Sequence, residues 1–174
     1  MRRRVRSDGF KCNCNLKLFA LWLSLCVTVC GYLTPLPVMA AVGLSGPAYV
    51  IDGDTIVIHG RHIRLFGVDA FEHDQTCGRF ACGVAATEAM QGLVRGNMVA
   101  CVRQATDPYG RMVAVCRAGA NDLGQVMVHQ GLAVAYRAFS TRYLPDENWA
   151  RVHHAGAWAH GFDSPRTWRE THVK

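Results

Sequence analysis

Two β-branched runs, Tyr49–Ile51 and Thr55–Ile58, and a third run, Arg61–Val68, with turn pairs between them, constrain this chain more than any other feature. The breaks are Asp52-Gly53 and His59-Gly60, and such pairs favour tight turns because glycine tolerates positive φ and aspartate bonds to nearby backbone. The segment therefore reads as a meander of short antiparallel strands. Alternation in the third run sets Ile63 and Leu65 on one face and His62, Arg64 and Phe66 on the other. A helix is predicted over Cys82–Val94, where Ala86, Ala89, Met90, Leu93 and Val94 recur at helical spacing ahead of Gly96. Two more strands, Met98–Arg103 and Met112–Cys116, flank Asp107-Pro108-Tyr109-Gly110, which suits a type I turn. A short helix from Asp122 to Gly131 and a last one from Pro145 to about Gly161 complete the order. The expectation is an α+β chain built as a small five-stranded OB-type β-barrel with three helices.

Residues 1–40 have another character. Arg2–Lys17 is basic, Leu18–Leu33 is uncharged, and Val38-Met39-Ala40 offers small residues to a signal peptidase. A signal peptide cut after Ala40 is expected, giving a secreted or periplasmic protein with no stable membrane partner. An uncleaved membrane anchor is the alternative, disfavoured by Pro35 and Pro37 and by an uncharged run short of the ~18 residues a spanning helix needs. The segment also carries +5 of the formal net charge of +6, so the basic balance says little about nucleic acid. With 50% hydrophobic and 18% charged residues, a disordered chain is excluded. The folded domain is expected over 41–161, and 162–174 reads as a C-terminal tail without an assignable role.

Cys77, Cys82, Cys101 and Cys116 remain beyond the expected cut. Their spacing lacks the paired C-x-x-C of common zinc sites, and export favours disulfides. If Asp107 pairs with Gly110, Cys101 faces Cys116, close enough for a bond; a one-residue bulge at Gly110 would put the two sulfurs on opposite faces. Cys77 then pairs with Cys82 by elimination.

Residues able to do chemistry gather at the strand ends. Asp54 follows the first turn, where Asp52 reads as a turn former, and Asp69 and Glu72 follow the third run three residues apart. Carboxylates from neighbouring strand ends can share one hard cation while another acts on water. Arg64 and Arg111 add guanidinium groups, and carboxylates with two arginines are what a phosphodiester requires. His153, His154 and His160 lack the i, i+4 spacing of a helical zinc site and read as ordinary helix residues.

Four stretches in order, Val50–Thr55, Ile63–Glu72, Asp107–Arg111 and Gly131–Tyr136, resemble the staphylococcal (thermonuclease-like) nuclease family, over Tyr49 to about Trp158. The resemblance implies an OB barrel with three helices and a calcium-dependent nuclease acting on DNA and RNA with little sequence preference. Single-stranded substrate and a monomer are expected. Asp54 and Asp69 match the calcium carboxylates, with Ala70 offering a backbone carbonyl. Glu72 matches the general base, and Arg64 and Arg111 match the arginines that hold the scissile phosphate, Arg111 also assisting the leaving 5′ oxygen. Tyr109 and Tyr136 match tyrosines near the terminal phosphate and base. Ala70 and Phe71 stand where the family often has Thr and Pro, so Phe71 is expected to reshape the loop holding Glu72. A loop bearing Cys77 and Cys82 replaces a lysine-rich one, and Pro108 replaces a lysine, which implies weaker capture of polynucleotide. The alternative is a non-catalytic OB module binding single strands or a protein, although such a module does not need all five charged residues together.

Overall fold

The computed structural model describes residues 43–172, so the expected signal peptide lies outside the described residues. In chain order the elements are β1 (Gly43–Val50), β2 (Thr55–Ile58), β3 (Arg61–Leu65), β4 (Val68–Ala70), α1 (Cys82–Val94), β5 (Met98–Thr106), β6 (Met112–Ala118), β7 (Asn121–Asp122), α2 (Leu123–His129), β8 (Ala133–Ala135), α3 (Leu144–Val152), a 3₁₀ turn (Gly156–Ala159) and α4 (Pro165–Thr171). Strands β1, β2 and β3 pair as an antiparallel meander, β1 also pairs with β5, and β5 pairs with β6. A parallel contact between β3 and β6 closes the five-stranded barrel. Strands β4 and β8 form a separate two-stranded ribbon beside it. Among the described residues no helix is long and apolar enough to cross a membrane.

Period-two burial fills the barrel. Met112, Ala114, Cys116 and Ala118 of β6 are buried while the residues between them are less so, and Ile56, Ile58, Ile63 and Leu65 come in from β2 and β3. Helix α1 adds Ala86, Met90 and Val94 at i, i+4, i+8, and α2 adds Leu123, Met127 and Val128. Asp122 caps α2 by accepting from the Gln125 N–H at 3.2 Å.

The β5–β6 hairpin shows why local turn reading and long-range pairing can both matter. Near the turn Thr106 faces Met112 and Ala105 faces Val113, one residue out of the register expected from an Asp107–Gly110 pair. The turn spans Asp107 to Arg111, with the Asp107 N–H donating to the Arg111 carbonyl at 3.0 Å. An irregularity between Arg103 and Ala105 removes the extra residue, so Cys101 again faces Cys116. Two offsets cancel, and disulfides join Cys101 to Cys116 and Cys77 to Cys82.

Several element boundaries differ from the sequence expectation. The run Arg61–Val68 is not one strand: it breaks at Phe66-Gly67, where Gly67 has φ +72°, and β4 turns away to pair with β8. The last helix stops at Val152 rather than near Gly161. Gly156 lies against the Gln130 and Gly131 carbonyls, where a side chain would collide, and the Ala157 N–H donates to the Gly131 carbonyl at 3.0 Å. This tertiary contact outweighs helical continuation. Among the described residues four α-helices stand where three were expected, because residues 165–171 form α4. Ser164 caps it, accepting from the Thr167 N–H at 3.1 Å, and Pro165 occupies its first turn.

Candidate active site

The ends of β1, β3 and β4 meet at one end of the barrel. The Leu65 N–H donates to the Asp54 carbonyl at 2.8 Å, and the Asp54 N–H donates to Asp52 Oδ1 at 2.9 Å, so the turn after β1 folds Asp54 inward. Gly53 permits the close approach, since a Cβ there would sit 2.7 Å from that of Ala70 and 2.9 Å from that of Ala86. Asp54 and Asp69 are 4% and 2% exposed, an unusual depth for carboxylates.

Arg64 joins them. Its Nη1 donates to Asp54 Oδ1 at 2.7 Å and its Nη2 to Asp69 Oδ1 at 3.0 Å. Thr55 Oγ1 donates to the same Asp54 oxygen at 3.0 Å, and the Ala70 N–H donates to Asp54 Oδ2 at 3.0 Å. The outer face of β3, legible from alternation, is what turns Arg64 toward the carboxylates while Ile63 and Leu65 enter the core.

Burial, opposed by the Arg64 charge, pushes the Asp54 carboxyl up to about 6 from an ordinary 3.8. The folded chain then holds this proton more tightly than the unfolded one, so the associated stability is full below 3.8 and is lost as pH rises through about 6. In metal-free buffer the melting temperature of wild type minus that of Asp54→Asn is expected to fall across that interval. A flat difference would remove Asp54 as its source.

Glu72 follows β4 on a loop with its own supports. Its N–H donates to Gln75 Oε1 at 3.2 Å and its carbonyl accepts from the Gln75 N–H at 2.8 Å. Gln75 is 1% exposed, its carbonyl accepts from the Gly83 N–H, and its Nε2 donates to the Asp163 carbonyl at 2.8 Å. The Cys77–Cys82 bond closes the loop onto the start of α1. Phe71 does shape this region: it is fully buried with both of those cysteines and Ala157, and its ring meets Phe162 edge-on at 5.0 Å.

Across the cleft the hairpin turn presents Arg111 and Tyr109. Arg111 Nε donates to Asp107 Oδ2 at 2.6 Å, and its terminal nitrogens have no hydrogen-bond partner among the described residues. Its guanidinium lies over the Tyr109 ring at 5.6 Å. Tyr136 sits beyond β8 with Phe139 at 4.8 Å between ring centres. A cleft of about 590 Å³ is lined by Asp54, Arg64, Ala70, Glu72, Tyr109, Arg111 and Tyr136, and Asp69 lies beneath it. The structure therefore gathers every site residue proposed from sequence except the cysteines, two of which brace its rim.

Sequence reasoning missed Gln75, Phe139 and Arg169. Arg169, in the stretch set aside as a tail, lines the cleft and contacts the site directly: Nη2 donates to Asp69 Oδ1 and Oδ2 at 3.1 and 3.2 Å, and Nη1 donates to Glu72 Oε1 at 2.7 Å. A signal for its helix existed in Ser164-Pro165, a cap followed by a first-turn proline. No local signal distinguishes Gln75.

Among the described residues no group of three His, Cys, Asp or Glu is placed to hold a metal ion. The oxygens of Asp54 and Asp69 still suit a hard cation: they are buried carboxylates, and they already attract the guanidinium groups of Arg64 and Arg169. Such a set neutralises anions, positions a carboxylate near solvent, and leaves Arg111 facing the cleft.

The family model described as "Staphylococcal nuclease homologue" matches residues 62–160, which include Arg64, Asp69, Glu72 and Arg111 but neither Asp54 nor Arg169. The chain is 32% identical over 127 residues to "Succinoglycan biosynthesis protein ExoI" of Rhizobium meliloti (strain 1021), covering 68% of this chain and 66% of that protein. It is 31% identical over 139 residues to "Protein ParB" of Escherichia coli, covering 69% of this chain and 75% of that one.

Proposed function

Given that the chain belongs to the staphylococcal nuclease homologue family, we propose that it is a calcium-dependent nuclease that hydrolyses phosphodiester bonds of DNA and RNA with little sequence preference. The observation that carries the reading is the cleft itself: Arg64 bridging two buried carboxylates at its floor, with Glu72, Arg111 and two tyrosines around it.

Asp54, Asp69 and the Ala70 carbonyl are the groups to hold calcium, which when bound supplies a Lewis acid for the phosphoryl oxygens. Arg111 donates from its terminal nitrogens to the scissile phosphate and to the departing 5′ oxygen, and Asp107 fixes its plane through Nε. Arg64 adds positive charge from the floor while its own position is set by Asp54 and Asp69. Glu72, half-buried on the loop held by Gln75, accepts a proton from the attacking water at its carboxylate. Tyr109, 85% exposed, and Tyr136 offer rings to a base that has left its stack, which favours single strands.

Secretion or periplasmic export after cleavage at Ala40 and a monomeric state belong to the same proposal, the export supported by the composition of residues 1–40; the domain expected over 41–161 is extended in it to take in α4, since Phe162 packs on Phe71 and Arg169 reaches Glu72. A second reading, a non-catalytic OB module that binds single strands or a protein, draws on the arginine pairing of Asp69 and Glu72.

The test is incubation of the oxidised chain from Ala41 onward with end-labelled single-stranded DNA and RNA in calcium or in excess EDTA. Cleavage in calcium and none in EDTA is expected. Binding without cleavage in both conditions would replace the enzyme with the binding module.

A further inference from the structure

We propose that Arg169 is a tethered cation that holds the resting site, so that calcium binds by displacing the end of helix α4. The inference rests on the calcium assignment above and concerns its regulation. Both oxygens of Asp69 are met by guanidinium nitrogens: Oδ1 by Arg64 and Arg169, Oδ2 by Arg169. A cation that takes Asp69 as ligand must share or take an oxygen that Arg169 holds. The same guanidinium reaches Glu72 through Nη1, so one side chain covers both the carboxylate assigned to the metal and the one assigned to water. Charge on the fork stands in for charge on an ion.

Arg64 and Arg169 differ in their freedom to leave. Arg64 is fixed in a barrel strand bonded on both sides. Arg169 rides on a helix of seven residues, too short to hold its shape without tertiary contacts. Those contacts lie at its start: Phe162 against Phe71 and Trp158, the Asp163 carbonyl on Gln75, and buried Pro165. Beyond Pro165, Arg166, Thr167, Glu170 and Thr171 are exposed, Trp168 is half-buried with its ring stacked on His172, and Arg166 pairs with Glu170 inside the helix. Arg169 is thus the charged tie between the last turn and the site, and a segment held this way opens at low cost.

Calorimetric calcium titration and hydrogen exchange over residues 165–171, on full-length wild type, R169Q, R169K and R166Q, test the inference. R169Q is expected to bind calcium about tenfold more tightly or better, R169K to fall between, and R166Q, which loses the same charge from the same helix, to stay within about twofold of wild type. Calcium is expected to speed exchange over 165–171 in wild type, whereas R169Q exchanges fast there with or without it. Equal tightening in R166Q and R169Q would reduce the effect to net charge and overturn the inference. Unchanged or weaker calcium binding in R169Q overturns it too, and a raised KM for DNA alongside would make Arg169 a phosphate ligand instead. Persistent protection of 165–171 in calcium-saturated wild type has the same consequence. The calcium titration and the exchange measurement need no cleavage: competition seen in a chain that cuts nothing retracts the nuclease and keeps the tie. Failure of calcium to bind wild type and R169Q alike removes the calcium assignment along with it.

Discussion

Glu72→Gln is expected to lower the cleavage rate by ~10² to 10⁴, the range for removing a general base. The substitution keeps the shape of the side chain, and its amide oxygen can still accept from Arg169 as Glu72 Oε1 does. The backbone bonds to Gln75 are untouched, so the loop stays in place. What is lost is a group able to take a proton from water. The loss belongs in kcat, with KM for DNA and the melting temperature close to wild type, because the phosphate contacts are proposed for Arg64 and Arg111. A rate within about twofold of wild type would falsify the base assignment. A fall in melting temperature matching that of R169Q would instead mark Glu72 as a support for α4.

Strands and turns were legible because their signals are local. Asp52-Gly53 and His59-Gly60 fall between β1, β2 and β3 as read, and the α1 stripe from Ala86 to Val94 faces the core. The pairing of Cys101 with Cys116 was reachable too, although the simple hairpin register that suggested it is interrupted twice. Alternation placed Arg64 on the polar face of β3, and family resemblance is what suggests roles for Asp54, Asp69 and Glu72. What stayed hidden depends on distant chain. Glu72 and Arg169 are 97 residues apart, and Gln75 meets Asp163 across 88. The end of α3 is likewise set by Gly156 packing on the Gln130–Gly131 backbone, which no helical periodicity registers. Phe71 helps bring the C-terminal stretch to the site: where the family often has proline it offers a ring on which Phe162 seats, and Arg169 follows seven residues later.

Gly83→Ala is expected to destabilise the fold by ~1–3 kcal/mol, as overpacking does, and to cut kcat by about 10²-fold through misplacement of Glu72. The sign runs against helix propensity, by which alanine replaces glycine inside a helix with a gain of roughly 1 kcal/mol. Gly83 is in the first turn of α1, with its N–H donated to the Gln75 carbonyl at 3.1 Å. A Cβ there would overlap the Glu72 carbonyl and lie 2.7 Å from that of His73. Both obstacles are backbone, so neither can swing aside as a flexible side chain would. The loop is also tied on either side, by β4 before Phe71 and by the Cys77–Cys82 bond after it. Relief must come by shifting the Glu72–Gln75 turn or by lifting α1 from the barrel, and each moves the proposed base relative to Asp69. Gly92 is the control within the same helix: it is exposed, nothing lies within 4 Å of its added Cβ, and Gly92→Ala should stabilise by up to ~1 kcal/mol at unchanged rate. Chemical denaturation and single-turnover cleavage on both variants separate the cases. If Gly83→Ala behaves like Gly92→Ala, the close packing of α1 on the Glu72 loop is not what positions the carboxylate.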